Sequence, residues 1–255
     1  MKILVAGTLR TLLTAAFVAG LWTASVGAAT FDNMVAFDGV YIPALALTTA
    51  ARQDATVAVR ARNAMQELKT RWPALRAGLL QDLQGVPAES ARKTLDKVAL
   101  HISTAEMAVA GGNFKGAHEA LEAVRIELMN ARNAHGMDYF VDRLTAYHEP
   151  MEILALAALD LKPHELTPAK RTELETAYAE ARAIWRGIEK NPPDPKVYAL
   201  TPARSEQLSK ALADETEALS RLSDALRGTD NAAVLKAAAA LKPAFARVFT
   251  AFGQG

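Results

Sequence analysis

Apolar residues recur along this chain at alternating four- and three-residue steps, the spacing that gathers one face of an α-helix. The segment from residue 87 to 110 gives Leu95, Val98, Ile102, Ala105 and Val109, and the next gives Ala117, Leu121, Val124, Leu128 and Ala131. A third carries Phe140, Leu144, Tyr147, Met151 and Leu154; later ones carry Leu174, Tyr178, Ala181, Trp185 and Ile188, then Val234, Ala238, Leu241, Phe245, Val248 and Phe252. No segment alternates with period two. The pattern predicts an all-α protein of about eight helices.

Helix breakers fall between these stripes. Gly111-Gly112-Asn113, Gly136 and Gly228-Thr229-Asp230 read as turns between neighbouring helices. Thr167-Pro168 and Thr201-Pro202 read as helix starts, with threonine as cap and proline at the first helical position. Asn191-Pro192-Pro193-Asp194-Pro195 is a rigid, extended connector.

The two halves run in parallel. Pro87-Ala88-x-Ser90 leads to Gly112 at almost the separation at which Pro202-Ala203-x-Ser205 leads to Gly228. Tyr41-Ile42-Pro43 matches His148-Glu149-Pro150, so each half opens on a helix that contains a proline. The expectation is an internal duplication, two up-and-down four-helix units over residues 29–136 and 137–255. The segment G-N-F-K-G-A-H-E-A-L is similar to the turn and second helix of tetratricopeptide repeats, but no 34-residue period recurs.

Composition adds compartment and excludes partners. Lys2 and Arg10, an apolar run from Leu12 to about Ala24 and the small residues Val26-Gly27-Ala28 form a secretory signal over residues 1–28. The run is shorter than the roughly 20 residues a membrane span needs. Export across an inner membrane, to the periplasm, follows, with no membrane span after cleavage. The chain has no cysteine, which rules out disulfides, thiolate ligands and covalently attached c-type haem. Cleavage removes Lys2 and Arg10 from 29 basic residues and nothing from 28 acidic ones, so the mature charge is near neutral. A nucleic-acid-binding protein would carry a basic footprint.

Candidate chemistry centres on A-Y-H-E-P-M-E, residues 146–152. The hairpin at Gly111–Gly112 sets His101 level with Glu122, and the Gly136 turn sets Val124 level with His148. At about 1.5 Å rise per residue, His101, His118, Glu122, His148, Met151 and Glu152 lie within a few turns of one another. His118/Glu122 and His148/Glu152 are i,i+4 pairs, each on one helix face. Imidazole and carboxylate suit Cu, Zn or Fe, and the Met151 thioether would favour copper. His148, Glu152, His118 and Glu122 flank the apolar stripes, where a side chain can turn toward a neighbouring helix or toward water.

Pro150 is expected to kink its helix by removing the hydrogen bond to the Ala146 carbonyl. Met107, Met129 and Met137 read as core filler, and Tyr139 and Tyr147 as packing residues with solvated hydroxyls. No phosphate loop, H-E-x-x-H or G-x-S-x-G occurs. The only acid–base pair on offer is Glu152 with His148. The sequence thus predicts a non-enzymatic exported binding protein with a metal site on the H-E-P-M-E helix. The alternative is a helical scaffold that docks a partner protein of the envelope, with no metal.

Overall fold

The computed structural model describes residues 31–52 and 54–253; the signal read over residues 1–28 lies outside them. Each predicted stripe becomes the buried face of a helix. The helices are α1 (Asp32–Ala51), α2 (Ala58–Asp82), α3 (Ala88–Ala110), α4 (Phe114–Asn133), α5 (Phe140–Asp160), α6 (Pro168–Lys190), α7 (Pro202–Arg227), α8 (Asn231–Ala239) and α9 (Leu241–Thr250). No strand occurs among the described residues, so the fold is all-α.

Local chemistry sets the helix ends. The Asn113 side chain accepts from the Gly116 backbone N–H at 2.9 Å, and Asp230 accepts from that of Ala232 at 2.8 Å. Gly112 turns between α3 and α4 at φ +74°, a left-handed conformation that costs glycine nothing. Thr167 and Thr201 cap α6 and α7 by accepting from Lys170 and Arg204 backbone N–H groups, with proline at the first position of each. Thr201→Ala is expected to cost about 1 kcal/mol. Calorimetry should then show a fall in melting temperature of about 2–4 °C, and Thr201→Ser should restore it.

The last stripe, read as one helix, is broken at Ala240 into α8 and α9. Pro243 is the physical cause. It has no N–H for the Ala239 carbonyl, and its ring crowds that carbonyl. Pro43, Pro73 and Pro150, by contrast, sit inside continuous helices.

The helices close into two rings. α1 packs on α2, α2 on α3, α3 on α4, and α4 back on α1. In the second half α5 packs on α6, α6 on α7, and α7 on α8 and α9, which return to α5. The rings meet where α4 contacts α5 and α1 contacts α9. α1, α4, α5 and α9 therefore form a central layer shared by both halves, with one apolar core running through it.

α1 is apolar around its whole circumference. By length and composition it could cross a membrane, yet 67% of its apolar window is buried within this protein. A helix apolar on all sides and covered on most of them is a core helix. Met107 departs from expectation: it is 66% exposed on α3 and fills no core. The hydroxyls of Tyr139 and Tyr147 also differ, because both rings are buried and neither hydroxyl reaches water.

Candidate functional site

The central layer encloses a cleft of about 130 Å³ lined by all four of its helices. α1 contributes Leu45 and Thr49, α4 His118, Glu122 and Arg125, α5 His148, and α9 Lys242, Phe245 and Phe249. Glu152, one turn beyond His148 on α5, joins the group through its carboxylate. Helical periodicity explains the pairs: residues four apart share a face, and these flank the stripes that α4 and α5 turn toward the core.

Within each pair the imidazole faces its carboxylate. His118 Nε2 lies 3.6 Å from Glu122 Oε1, and His148 Nε2 lies 3.7 Å from Glu152 Oε2. The opposite side of the His118 ring is tied to α1, where Nδ1 is 2.9 Å from Thr49 Oγ1. Thr49 has one hydroxyl proton, and the Leu45 carbonyl accepts it at 3.2 Å. Through Thr49 the His118 ring is anchored to α1.

Each carboxylate also carries a cation. Lys242 Nζ donates to Glu152 Oε1 at 2.6 Å, and the Arg125 guanidinium donates to Glu122 Oε2. Arg125 is held in turn over the Phe249 ring at 5.6 Å. The inner oxygen of Glu152, Oε2, is buried with no hydrogen-bond partner.

Burial dominates the electrostatics. Together with the charges of Arg52, Lys242 and Arg125 it lowers the His118 imidazole to about 4, and together with those of Arg125 and Lys242 it lowers His148 to about 2. Both rings are therefore neutral at physiological pH, with lone pairs available. Burial also raises the Glu122 carboxyl, against the opposing charge of Arg125.

Of the six residues read as ligands, His118, Glu122 and His148 line the cleft, and Glu152 stands beside it as the partner of His148. His101 does not line the cleft; it lies half-buried on α3, outside the central layer. Met151 is fully buried at the centre of the α5 stripe and packs in the core, while its neighbours on the flank turn to the cleft. Sequence reasoning missed Thr49, Arg125 and Lys242. Arg125 left one local signal, a cation beside the stripe residue Val124 and three positions from Glu122. Nothing local marks Lys242, which meets Glu152 across 90 residues of chain.

Among the described residues no group of three or more His, Asp or Glu is arranged in this conformation to hold a metal ion. The two imidazole–carboxylate pairs stand as separate pairs, each with a cation on its carboxylate.

Two further polar groups sit in the core. Arg132 of α4 bonds both oxygens of Asp142 at the start of α5, and its guanidinium lies 4.8 Å from the Tyr139 ring centre. The Tyr139 hydroxyl donates to Asp38 of α1 at 2.7 Å. In the second half the Tyr147 hydroxyl donates to Glu215 of α7, a residue with no exposed surface. Burial raises Asp38 to about 7 and Glu215 to about 8. Set against family models, curated proteins and solved structures, the chain matches none of them, and the cleft is read from its own residues.

Proposed function

We propose that this is a non-enzymatic, exported helical binding protein whose central cleft takes a transition-metal ion through His118, Glu122, His148 and Glu152. The observation that carries the reading is the pair of imidazole–carboxylate couples, from adjacent helices, directed at one cleft with neutral rings. Ligands about 2.0–2.1 Å from a tetrahedral zinc ion stand about 3.4 Å apart. The separations of 3.6 and 3.7 Å within the pairs are within a few tenths of that edge. The Nδ1 tie of His118 to Thr49 and Leu45 is the outer-shell support that a ligating imidazole uses. The unpartnered Oε2 of Glu152 is the kind of buried acceptor that a cation would satisfy.

With Met151 in the core, the argument for copper lapses. Two imidazoles and two carboxylates favour Zn²⁺, with Fe²⁺ the next fit. Bringing the two pairs onto one ion needs a shift of α4 against α5 or a rotamer change of the glutamates.

Export rests on the residues preceding α1, and the duplication on the matching order of contacts in the two rings. A second reading, docking of a partner protein, draws on Ile153, Leu156 and Leu159, exposed by 49%, 43% and 73% along α5.

The test is metal uptake by the mature protein, titrated with Zn²⁺, Fe²⁺ and Cu²⁺, alongside His148→Ala. One equivalent of Zn²⁺ should bind, and the variant should lose affinity by about 100-fold with its helical circular dichroism intact. A wild-type protein that takes up none of the three ions would sink the metal reading and leave partner docking in front.

A further inference from the structure

A ligand has to match its cleft in size, charge and hydrogen bonding, and the central cleft is specific in all three. Its volume is about 130 Å³. An apolar cavity of about 150 Å³ holds benzene, so there is room for one six-membered ring and little more. Most of the lining is apolar, with Leu45 and Ala46 from α1 and Phe245 and Phe249 from α9. Aromatic rings form one wall, with ring centres 5.7 Å apart from His148 to Phe245 and 6.0 Å apart from Phe245 to Phe249. Ala246 and Thr250 are exposed members of the lining and place the opening beside α9.

The charges around the cleft cancel. Arg125 is bonded to Glu122 and Lys242 to Glu152, and burial keeps both imidazoles uncharged. An anionic ligand would set a third negative charge beside the two glutamates. A cationic one would set a third positive charge beside Arg125 and Lys242, and no counter-charge is left for either. A neutral molecule disturbs neither pair.

Hydrogen bonding is what the cleft still has to offer. A nitrogen-to-oxygen hydrogen bond spans about 2.7–3.2 Å. The Nε2 atoms of His118 and His148 stand 3.6 and 3.7 Å from their carboxylates, so each can take a further partner. A neutral imidazole has one N–H and one lone pair. A hydroxyl both donates and accepts, so it suits these rings whichever nitrogen carries the proton. A plain hydrocarbon would cover the same nitrogens and leave them unpaired, at the cost of their desolvation.

We propose that the central cleft binds a small neutral molecule built of one ring and a hydroxyl, a phenol in chemical class. Its ring lies against Phe245 and Phe249 and its hydroxyl meets the imidazoles of His118 and His148. The ligand needs no metal, because both carboxylates stay with their cations.

The test titrates the full mature chain, kept in EDTA, with phenol, toluene and benzoate, followed by NMR of both ligand and protein. Toluene has the shape of phenol without the hydroxyl, and benzoate adds a negative charge. One equivalent of phenol should bind, at least tenfold tighter than toluene, with benzoate weaker than phenol. Ala46→Leu, which puts a larger side chain into the cleft, should weaken phenol at least tenfold with helical circular dichroism intact. His148→Leu should reduce the preference for phenol over toluene.

No binding of phenol by the wild-type chain would overturn the proposal. So would phenol that binds no better than toluene, or that binds folded Ala46→Leu as well as wild type. Benzoate binding tighter than phenol would overturn it too, by making the cleft an anion site. With EDTA present, each outcome is independent of whether the chain takes up Zn²⁺.

Discussion

Replacing Arg132 with methionine is expected to destabilise the protein by about 3–5 kcal/mol, the cost of breaking a buried ion pair from one side. Arg132 and Asp142 are both almost fully buried and joined by two hydrogen bonds, with Nε to Oδ2 at 2.7 Å. Without the guanidinium, Asp142 keeps a charge in the core with only the start of α5 to offset it. The same change removes the cation beside Asp38 and the face of Tyr139, so a second buried carboxylate loses its nearest positive charge. Urea denaturation monitored by circular dichroism gives the number. A loss below about 1 kcal/mol would show that Asp142 is neutral or hydrated in the native state, contrary to the geometry.

The double variant Arg132→Met with Asp142→Leu separates the pair's net worth from the penalty of orphaning one member. It should recover most of the loss, because replacing both partners by apolar groups leaves no unpaired charge. The pair also bears on the cleft. It pins the end of α4 to the start of α5, and His118 lies 14 residues back along α4, about 21 Å away at 1.5 Å per residue. A shift of α4 against α5 would move one imidazole–carboxylate pair relative to the other.

Stability of the metal-free protein should fall as pH rises from 6.5 to 8. A carboxyl whose folded pKa lies above its unfolded value binds more protons in the native state between the two. Its contribution is fully present below the unfolded value and is lost as pH climbs through the folded one. For Glu215 that window runs from 4.5 to about 8, and for Asp38 from 3.8 to about 7. Glu122, also raised, acts in the same sense.

The buried imidazoles act oppositely. His118 and His148 are depressed from 6.5 to about 4 and about 2, so they cost stability as pH falls below 6.5. Between 4.5 and 6.5 the two effects offset. From 6.5 to about 7.5 the unfolded-state histidines lose their last protons and offset part of the decline; beyond that the carboxyls alone remain. The expected decline is about 1–2 kcal/mol by pH 8, at 1.36 kcal/mol per unit and group. Glu215→Gln, which keeps an acceptor for the Tyr147 hydroxyl, should reduce it to under about 1 kcal/mol. A wild-type profile that is flat or rising over this range would mean that Glu215 is ionised in the core.

Part of this protein is written locally in its sequence. The stripes from Leu95 to Val109 and from Ala117 to Ala131 specify buried helix faces because a 3.6-residue repeat has one geometric solution. The caps at Thr167 and Thr201 and the turn at Gly112 are legible because each is a contact within four residues or a backbone preference. Pro243 could have been read as a break. Its neighbours Pro43 and Pro150 could not be told from it, since whether a helix continues past proline depends on what packs against it.

The site was only half legible. Sequence spacing put His118, Glu122, His148 and Glu152 at one level, on flanks of known faces. Rotation about each helix axis decided which flank residues turn inward, and the stripe fixes that rotation no better than the width of the flank. His101 shared the level and stayed outside, while Met151 shared the helix and went to the core. The buried hydroxyl of Tyr147 and the charges of Arg125 and Lys242 owe their partners to contacts made across the bundle. The sequence by itself determined an all-α chain, its helix ends and the residues that could ligate. Only the tertiary structure decided that α1, α4, α5 and α9 meet around one cleft and set two cations on its carboxylates, because those pairings follow from how helices far apart in sequence pack.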